Sequence, residues 1–176
     1  MSPHHVTPEV SALLDRIDQT KQAYLSNKPG AREALLQTSQ DLISELSNPS
    51  ESLLHLTWAE PTHLAAVRFG LEVHLFEALA RDNGVPKTSE QIAQHCQPQA
   101  ETLLVRRTLR HLAAMGTVRE TDIDLYAPTP FAVRLTEKHY RDTVIFIQDD
   151  FNRTHIEAPE YWKQHGYKSP TDGKDR

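Results

Sequence analysis

The sequence predicts a mainly α-helical fold, a winged helix-turn-helix with a small β-hairpin that is flanked by N- and C-terminal helices. Apolar residues recur at spacings of three and four between Leu64 and Ala78, which is typical of a core-facing helix. Thr88 is followed three residues later by Gln91, the pattern of a capping box at a helix start. Gly116 then precedes two short β-rich runs joined by a polar turn, which indicates a hairpin.

Helices are also predicted ahead of this region. Thr7 and Pro8 form a helix start, a second helix runs from about Ala31 to Leu46, and a short helix follows at 51–58. The apolar faces of these helices are narrow, so we expect a further surface to cover them, and a partner subunit is one candidate. Residues 1–61 contain 4 Lys and Arg against 8 Asp and Glu, so this arm is acidic.

The central helices and the hairpin follow one another without long connections. Their predicted bounds are 66–79, 88–93 and 100–115 for the helices, and 117–120 and 125–127 for the strands, with the turn at 121–124. Thr129 and Pro130 provide an N-cap and a first-turn proline for a short helix through Leu135. Three helices followed by a hairpin are the arrangement of a winged helix. Beyond it, a helix is predicted over 142–158, and Pro159 starts a further turn.

Composition excludes several classes of protein. The formal net charge of −5 and the pI near 6.0 argue against a dedicated nucleic-acid or membrane-surface protein, because both usually need a basic face. Cys96 is the only cysteine, which rules out an internal disulfide and favours a reducing compartment. No apolar run approaches the ~20 residues that span a bilayer. We therefore expect a soluble, cytoplasmic protein.

Several stretches carry a resemblance to a known family. They are Leu75-Phe76-Glu77-Ala78-Leu79, Thr88-Ser89-Glu90-Gln91-Ile92-Ala93, residues 107–116 with Val118 and Glu120, Tyr126-Ala127-Pro128-Thr129, and residues 161–170. In order and spacing they resemble the N-terminal domain of S-adenosylmethionine-dependent O-methyltransferases, particularly those of fungal polyketide pathways of the sterigmatocystin type. Together they cover most of the chain.

The resemblance implies a division of labour between two domains. The N-terminal domain would dimerise through intertwined helices and line the partner's substrate pocket, while a catalytic domain would bind S-adenosylmethionine with a Gly-rich turn. No two of the six glycines here stand close enough for such a turn, and the family's catalytic histidine also belongs to the catalytic domain. We therefore expect no cofactor site in this chain, unless a separate catalytic domain supplies S-adenosylmethionine.

The same resemblance assigns roles to four segments. They are an N-terminal helical dimerisation arm (1–61), a winged-helix domain (62–140), a C-terminal interface or substrate-lining helix (141–167) and a truncated linker (168–176). The expected partner is a second copy, or a full-length O-methyltransferase-like protein, with an aromatic polyketide-like molecule as ligand. Neither nucleic acid nor membrane is expected as a partner.

Candidate site residues lie mainly in the C-terminal helix. The resemblance places Phe146 and Phe151 beside an aromatic substrate, with Asp149 or Asp150 as polar contacts, and His155 and Asp150 are the candidate catalytic groups. Trp58 is a third candidate wall of the pocket. The alternative is that the aromatic residues are core or dimer contacts and that both aspartates are solvated.

A DNA-binding helix and a metal site are two further candidate kinds of site. Arg106, Arg107, Arg110 and His111 lie on the helix that would read DNA in a winged helix, but residues 62–140 contain 9 Lys and Arg and 9 Asp and Glu, without the surplus that phosphate binding needs. We expect these arginines to pair with acids such as Glu101. No histidine pair has metal-ligand spacing, so no metal site is predicted, and His74 is interpreted as a hydrogen-bonded core or interface residue.

Three hypotheses follow, in order of support. The first is a truncated O-methyltransferase-like protein of secondary metabolism that acts as a dimerisation and substrate-lining domain. The second is a cofactor-independent cyclase, isomerase or dehydratase of natural-product biosynthesis that reuses the truncated fold. The third and weakest is a winged-helix regulator that binds DNA.

Overall fold

The chain is mainly helical with one small antiparallel sheet, as the sequence predicts. The computed structural model describes residues 7–169; the predicted linker residues 170–176 lie outside that range. The elements are α1 (Pro8–Leu25), α2 (Ala31–Leu46), α3 (Pro49–Leu54), a first π turn (His55–Ala59), α4 (Glu60–Glu72), α5 (Leu75–Gly84), β1 (Lys87–Thr88), α6 (Ser89–His95), α7 (Thr102–Ala114), β2 (Val118–Asp122), β3 (Leu125–Pro128), α8 (Pro130–Arg134), α9 (Lys138–Phe146), a second π turn (Ile147–Phe151) and α10 (Asn152–Gln164). The described chain divides into two compact units after Glu60.

The first unit is built on a helical hairpin. The side chain of Thr7 accepts a hydrogen bond from the backbone N–H of Val10 at 3.2 Å, which confirms the predicted start of α1. A short turn connects α1 to α2, and Arg16 of α1 lies 3.9 Å from Asp41 of α2, so the two helices run antiparallel. Among residues 7–60, only Ala31 and Thr38 are buried.

The second unit contains the hydrophobic core. The predicted apolar stripe supplies Val67, Leu71, Leu75 and Ala78, all of which are buried. The largest fully enclosed side chains come from α5, α6, α7, β3 and the residue after α8: Leu75, Phe76, Leu79, Ile92, Val105, Leu109, Leu112, Tyr126 and Leu135. Because burying one such side chain contributes roughly 1.5–3 kcal/mol, this cluster is the main source of stability in the unit.

Three local signals are confirmed by geometry. Thr88 accepts from the N–H of Gln91 at 3.2 Å, and Gln91 accepts from the N–H of Thr88 at 2.9 Å, which completes the capping box. Gly116 follows α7 with φ +76°, a left-handed conformation that favours glycine. Thr129 caps α8 by accepting from the N–H of Ala132 at 3.1 Å. These short-range patterns position the helices around the core.

The sheet has one strand more than predicted. Its order is β1-β3-β2, with Lys87 opposite Tyr126 in β3. Because β1 contains only two residues, it has no alternating pattern from which it could be recognised. The turn of the hairpin is also shorter than predicted: β2 extends to Asp122, across a bulge, and Asp124 turns the chain with φ +53°.

The predicted helix over 66–79 is in fact two helices. It breaks at His74, whose φ is +54°, because the carbonyl of Val73 accepts a hydrogen bond from the N–H of Gln97 at 2.9 Å instead of continuing the helical ladder. The prediction that His74 is a core or interface residue is wrong with respect to the core. Its side chain is about half exposed and lies 3.4 Å from the carboxylate of Glu77.

One proline predicted to start a turn lies inside a helix, since Pro159 is at an exposed position within α10. Pro61 is the second residue of α4 and directly follows the residue after the first π turn. In a regular α-helix the ring of Pro61 would clash with the carbonyl four residues earlier, and the wider π turn precedes it here.

Within residues 7–169, no helix combines the length and the apolar character that crossing a membrane requires.

Candidate functional site

The first unit presents an extensive apolar surface. Ten large apolar side chains of this unit are exposed: Leu14, Tyr24, Leu25, Leu36, Ile43, Leu46, Leu53, Leu54, Leu56 and Trp58. A groove of about 410 Å³ lies between the end of α2 and α3 with the first π turn, and Ile43, Ser47 and Leu56 contribute to its lining. Contiguous apolar patches of this kind mark interaction sites on protein surfaces.

Trp58 lies in the first π turn and is among the most exposed of these residues, at 73%. The π turn brings His55 next to Glu60, with 3.2 Å between Nδ1 and Oε1. Residues five apart do not face each other on a regular α-helix. The contact between His55 and Glu60 is therefore a consequence of the wider π turn. Trp58 belongs to the first unit, whereas the other predicted site residues belong to the second.

Phe146 and Phe151 are brought together by the second π turn. Phe146 immediately precedes the turn and Phe151 ends it, and their rings meet edge to face with centroids 5.4 Å apart. The pair is about half exposed, at 53% and 44%. Ring pairs in this arrangement are held by quadrupole attraction as well as by apolar contact. The C-terminal helix therefore presents a preformed aromatic surface.

The polar candidates of this helix do not form a dyad. Asp149 accepts a hydrogen bond from Nη1 of Arg68 at 2.8 Å, so it is a structural partner of α4. Asp150 and His155 are exposed, and within residues 7–169 no hydrogen bond or ion pair joins their side chains. Their proposed acid and base roles accordingly rest on their position beside the aromatic pair.

Two polar clusters of the second unit were not predicted. Arg106 pairs with Asp124 at 3.2 Å and donates to Ser89 at 3.0 Å, so the expected pairing of an arginine with Glu101 is replaced, at this position, by a link from α7 to the hairpin turn. His63 shares a hydrogen bond of 2.7 Å with the hydroxyl of Thr117. Both clusters join residues far apart in sequence, for which spacing carries no signal.

Burial shifts the pKa values of Cys96 and His63 in opposite directions. Burial raises the pKa of the Cys96 thiol to about 11, which makes it a poor nucleophile. Burial and then the neighbouring His111 lower the pKa of His63. In the part of the chain that the structure describes, no three His, Cys, Asp or Glu side chains lie close enough together to hold a metal ion.

A family model identifies the central part of the second unit. Residues 64–138, which contain the buried core and the hairpin, match the O-methyltransferase dimerisation domain. Over these residues the chain is similar to that domain. The dimerisation domain thus comprises the helices that the sequence pattern and the capping signals predict, and the resemblance inferred from short stretches is confirmed.

Curated relatives of the chain are fungal enzymes. The O-methyltransferase mpaG of Penicillium roqueforti is 30% identical over 166 residues, which cover 94% of this chain and 41% of that protein. The mpaG protein of Penicillium brevicompactum is 30% identical over 165 residues, which cover 93% of this chain and 40% of that protein. The chain therefore spans about 40% of the length of the curated relatives it matches.

Solved structures support the fold of the dimerisation domain and its flanking helices. A pericyclic reaction enzyme superimposes with a TM-score of 0.77 at 21% identity, over 94% of this chain and 41% of that chain. OxaC in complex with SAH and oxaline has a TM-score of 0.74 at 18% identity, and the match covers 91% of this chain and 40% of that chain. At these identities the similarity shows the fold.

Proposed function

We propose that this chain is the dimerisation and substrate-lining part of an O-methyltransferase-like protein of secondary metabolism, and that it holds no methyl-donor site of its own. The observation that carries the proposal is the exposed apolar surface of α1, α2, α3 and the first π turn, in a chain whose central part is similar to the O-methyltransferase dimerisation domain. The proposal assigns that surface to a subunit interface.

The energetics of the first unit support this role. Its ten exposed large apolar side chains far outnumber its buried ones, so most of the hydrophobic stabilisation available to these helices is not realised within the unit. Apolar burial contributes about 25 cal/mol per Å², and obligate dimers bury more than about 2,000 Å² of largely apolar surface. A second copy, or a full-length O-methyltransferase-like protein, would supply the missing contact.

Substrate lining is the second part of the proposal. Trp58 and the pair of Phe146 and Phe151 lie in or next to the two π turns, and π turns occur frequently at functional sites. Exposed aromatic faces suit a flat, aromatic small molecule, which an edge-to-face pair can contact with little loss of side-chain freedom. The curated relatives are O-methyltransferases, which is consistent with such a ligand.

Light scattering coupled to gel filtration tests the dimer. We expect a mass of twice 20.0 kDa for the wild-type chain and a monomer for a Leu53→Asp, Leu56→Asp variant. Ile123→Asp is the matched control, because Ile123 is 93% exposed at the tip of the hairpin turn and should tolerate a charge. A monomeric wild-type chain would contradict the proposal.

Calorimetric titration tests the absence of a methyl-donor site. No two of the six glycines are close enough in sequence for a Gly-rich turn, so we expect no heat of binding with S-adenosylmethionine. Micromolar binding by this chain alone would overturn this part of the proposal while leaving the dimer untouched.

A second candidate function is a cofactor-independent cyclase, isomerase or dehydratase. The fold similarity to a pericyclic reaction enzyme favours it, since such reactions are accelerated when a cavity holds the substrate in a reactive conformation. His155 and Asp150 would supply proton transfer. Product analysis with polyketide-derived intermediates would decide it, and unchanged turnover in a His155→Ala, Asp150→Ala variant would remove these two residues from the mechanism.

A further inference from the structure

A cleft of about 680 Å³ on the second unit is lined by two arginines without ion-pair partners. Arg110 comes from α7 and Arg119 from β2, and the cleft between them is completed by Gly116, Thr129 and other residues around the end of α7. Within residues 7–169, neither guanidinium takes part in a hydrogen bond or an ion pair, in contrast to Arg106, which Asp124 neutralises. The cleft also contains Glu120, whose carboxylate accepts from the N–H of Asp124 at 3.3 Å.

The arginines of the cleft outnumber its acids, because Glu120 is one carboxylate against two guanidinium groups. Helix α7 contains three arginines and no acidic residue, and only Arg106 of the three has a carboxylate partner among the described residues. A guanidinium presents a planar fork of donors that matches a carboxylate or a phosphate. The cleft is therefore suited to an anionic group supplied from outside the unit.

The acidic first unit carries exposed carboxylates that have no ion-pair partner among residues 7–169. Three of its acids, Glu9, Asp15 and Glu45, are exposed and form no ion pair or hydrogen bond within residues 7–169, whereas Asp18, Glu33 and Asp41 each lie near a basic residue. Glu9 is in the first turn of α1 and Glu45 in the last turn of α2, so the antiparallel hairpin places both at the same end.

Glu45 is at a position where its charge does not help its own helix. The C-terminal end of a helix carries a partial negative charge, so a carboxylate in the last turn is unfavourable there. Neither Lys nor Arg occurs in the last turn of α2 to offset it. A partner cation from elsewhere would explain this placement.

We propose that the cleft of Arg110 and Arg119 is a docking site for the acidic end of the α1–α2 hairpin of a second copy, with Glu9 and Glu45 as the carboxylates that it receives. The inference rests on the proposed dimer and adds which charged groups set its register. Charge pairs of this kind steer association and suppress wrong partners, and two-fold symmetry makes each pairing occur twice.

A charge-swap experiment with two variants tests the proposal. Arg110→Glu, Arg119→Glu removes the basic side of each contact, and Glu9→Lys, Glu45→Lys removes the acidic side. Each variant alone should dimerise with a dissociation constant raised by at least about tenfold, because like charges then face each other. An equimolar mixture should recover wild-type affinity, since a heterodimer contains one native and one reversed pairing.

Controls separate the possible outcomes. Arg81→Glu reverses another exposed arginine of the second unit, outside the C-terminal interface helix, and should leave the dissociation constant unchanged. A fourth chain carries all four cleft and hairpin substitutions. If this chain dimerises with wild-type affinity but the equimolar mixture does not, the cleft and the hairpin contact each other within one copy, and the proposal is overturned. Wild-type affinity in both the cleft variant and the hairpin variant would overturn the proposal while leaving the dimer intact, and a monomeric wild-type chain would overturn both.

DNA is the competing source of anionic groups. A fluorescent 20-base-pair duplex of mixed sequence at 50 mM salt should show no binding to the wild-type chain, whose net charge is −5. Binding that disappears in the Arg110→Glu, Arg119→Glu variant would assign the cleft to phosphate groups and overturn the proposal.

Discussion

Nη1 of Arg68 lies 2.8 Å from Oδ1 of Asp149, while Nε of the same guanidinium lies 2.6 Å from Glu72. One half-buried arginine thus connects α4 to the second π turn, and the two carboxylates raise its pKa. The partly buried Val144 packs against the core at the other end of this segment. The helix that presents Phe146 and Phe151 is therefore held at two points, one apolar and one ionic.

Removing the ionic contact should loosen the C-terminal helix. Asp149→Asn keeps the shape of the side chain but not its charge, and we expect a loss in the free energy of unfolding of about 1 kcal/mol or less, as for other exposed pairs. Amide exchange should accelerate in α9 and α10 more than in α7. Asp150→Asn is the matched control, and equal exchange rates in the two variants would contradict the role of Arg68.

Lys87 makes a second set of buried contacts whose removal should have a measurable effect. Its buried ammonium donates to the carbonyls of Arg81 at 2.6 Å, Val85 at 3.2 Å and Leu79 at 3.4 Å, and so closes the end of α5. Lys87→Met leaves these acceptors without a donor, so we expect a loss of about 1–3 kcal/mol in chemical denaturation. Asp82→Asn, which weakens an exposed contact of 3.6 Å, should have little effect.

The close packing of α4 against Phe76 of α5 depends on the absence of a side chain at Gly70. A Cβ atom at this position would lie 2.8 Å from Cε2 of Phe76, which is fully buried. Gly70→Ala should therefore lower the free energy of unfolding by about 1–3 kcal/mol through overpacking. Adding Phe76→Leu should recover part of this loss. If the double variant is as unstable as the sum of the two single ones, steric contact is not the cause.

Stability should fall on mild acidification because of His63. Its pKa is lowered in the folded state, first by burial and then by His111, from an ordinary value of 6.5. At a pH between the folded-state and unfolded-state pKa values of His63, the unfolded chain therefore binds more protons than the folded chain. The free energy of unfolding decreases as the pH falls from about 6.5 through the folded-state pKa. His63→Gln should flatten the dependence of the melting temperature on pH in this window. An unchanged slope would remove His63 as its source.

Local signals account for what could be predicted from the sequence. Thr7, Thr88 with Gln91, and Thr129 mark helix starts correctly because a cap is satisfied by residues three positions away. The apolar stripe from Val67 to Ala78 identifies a buried face correctly, although it conceals the break at His74.

The features that were missed depend on distant partners. The break at His74 requires Gln97, strand β1 requires Tyr126, and the position of Asp149 requires Arg68. None of these pairs has a fixed separation in sequence, so no periodicity could reveal it. The two π turns have no sequence pattern of their own either, and they carry or adjoin the aromatic candidates of the site.

The first unit buries only Ala31 and Thr38 among its described residues, and this ties its folding to mass action. If association supplies the missing apolar contacts, α1 and α2 become more ordered as the chain becomes more concentrated, and the melting temperature rises with protein concentration. Dilution would then unfold the helices of the first unit first and leave the core of the second unit folded. The amount of chain in the cell, and not only its sequence, would set how much of it is structured.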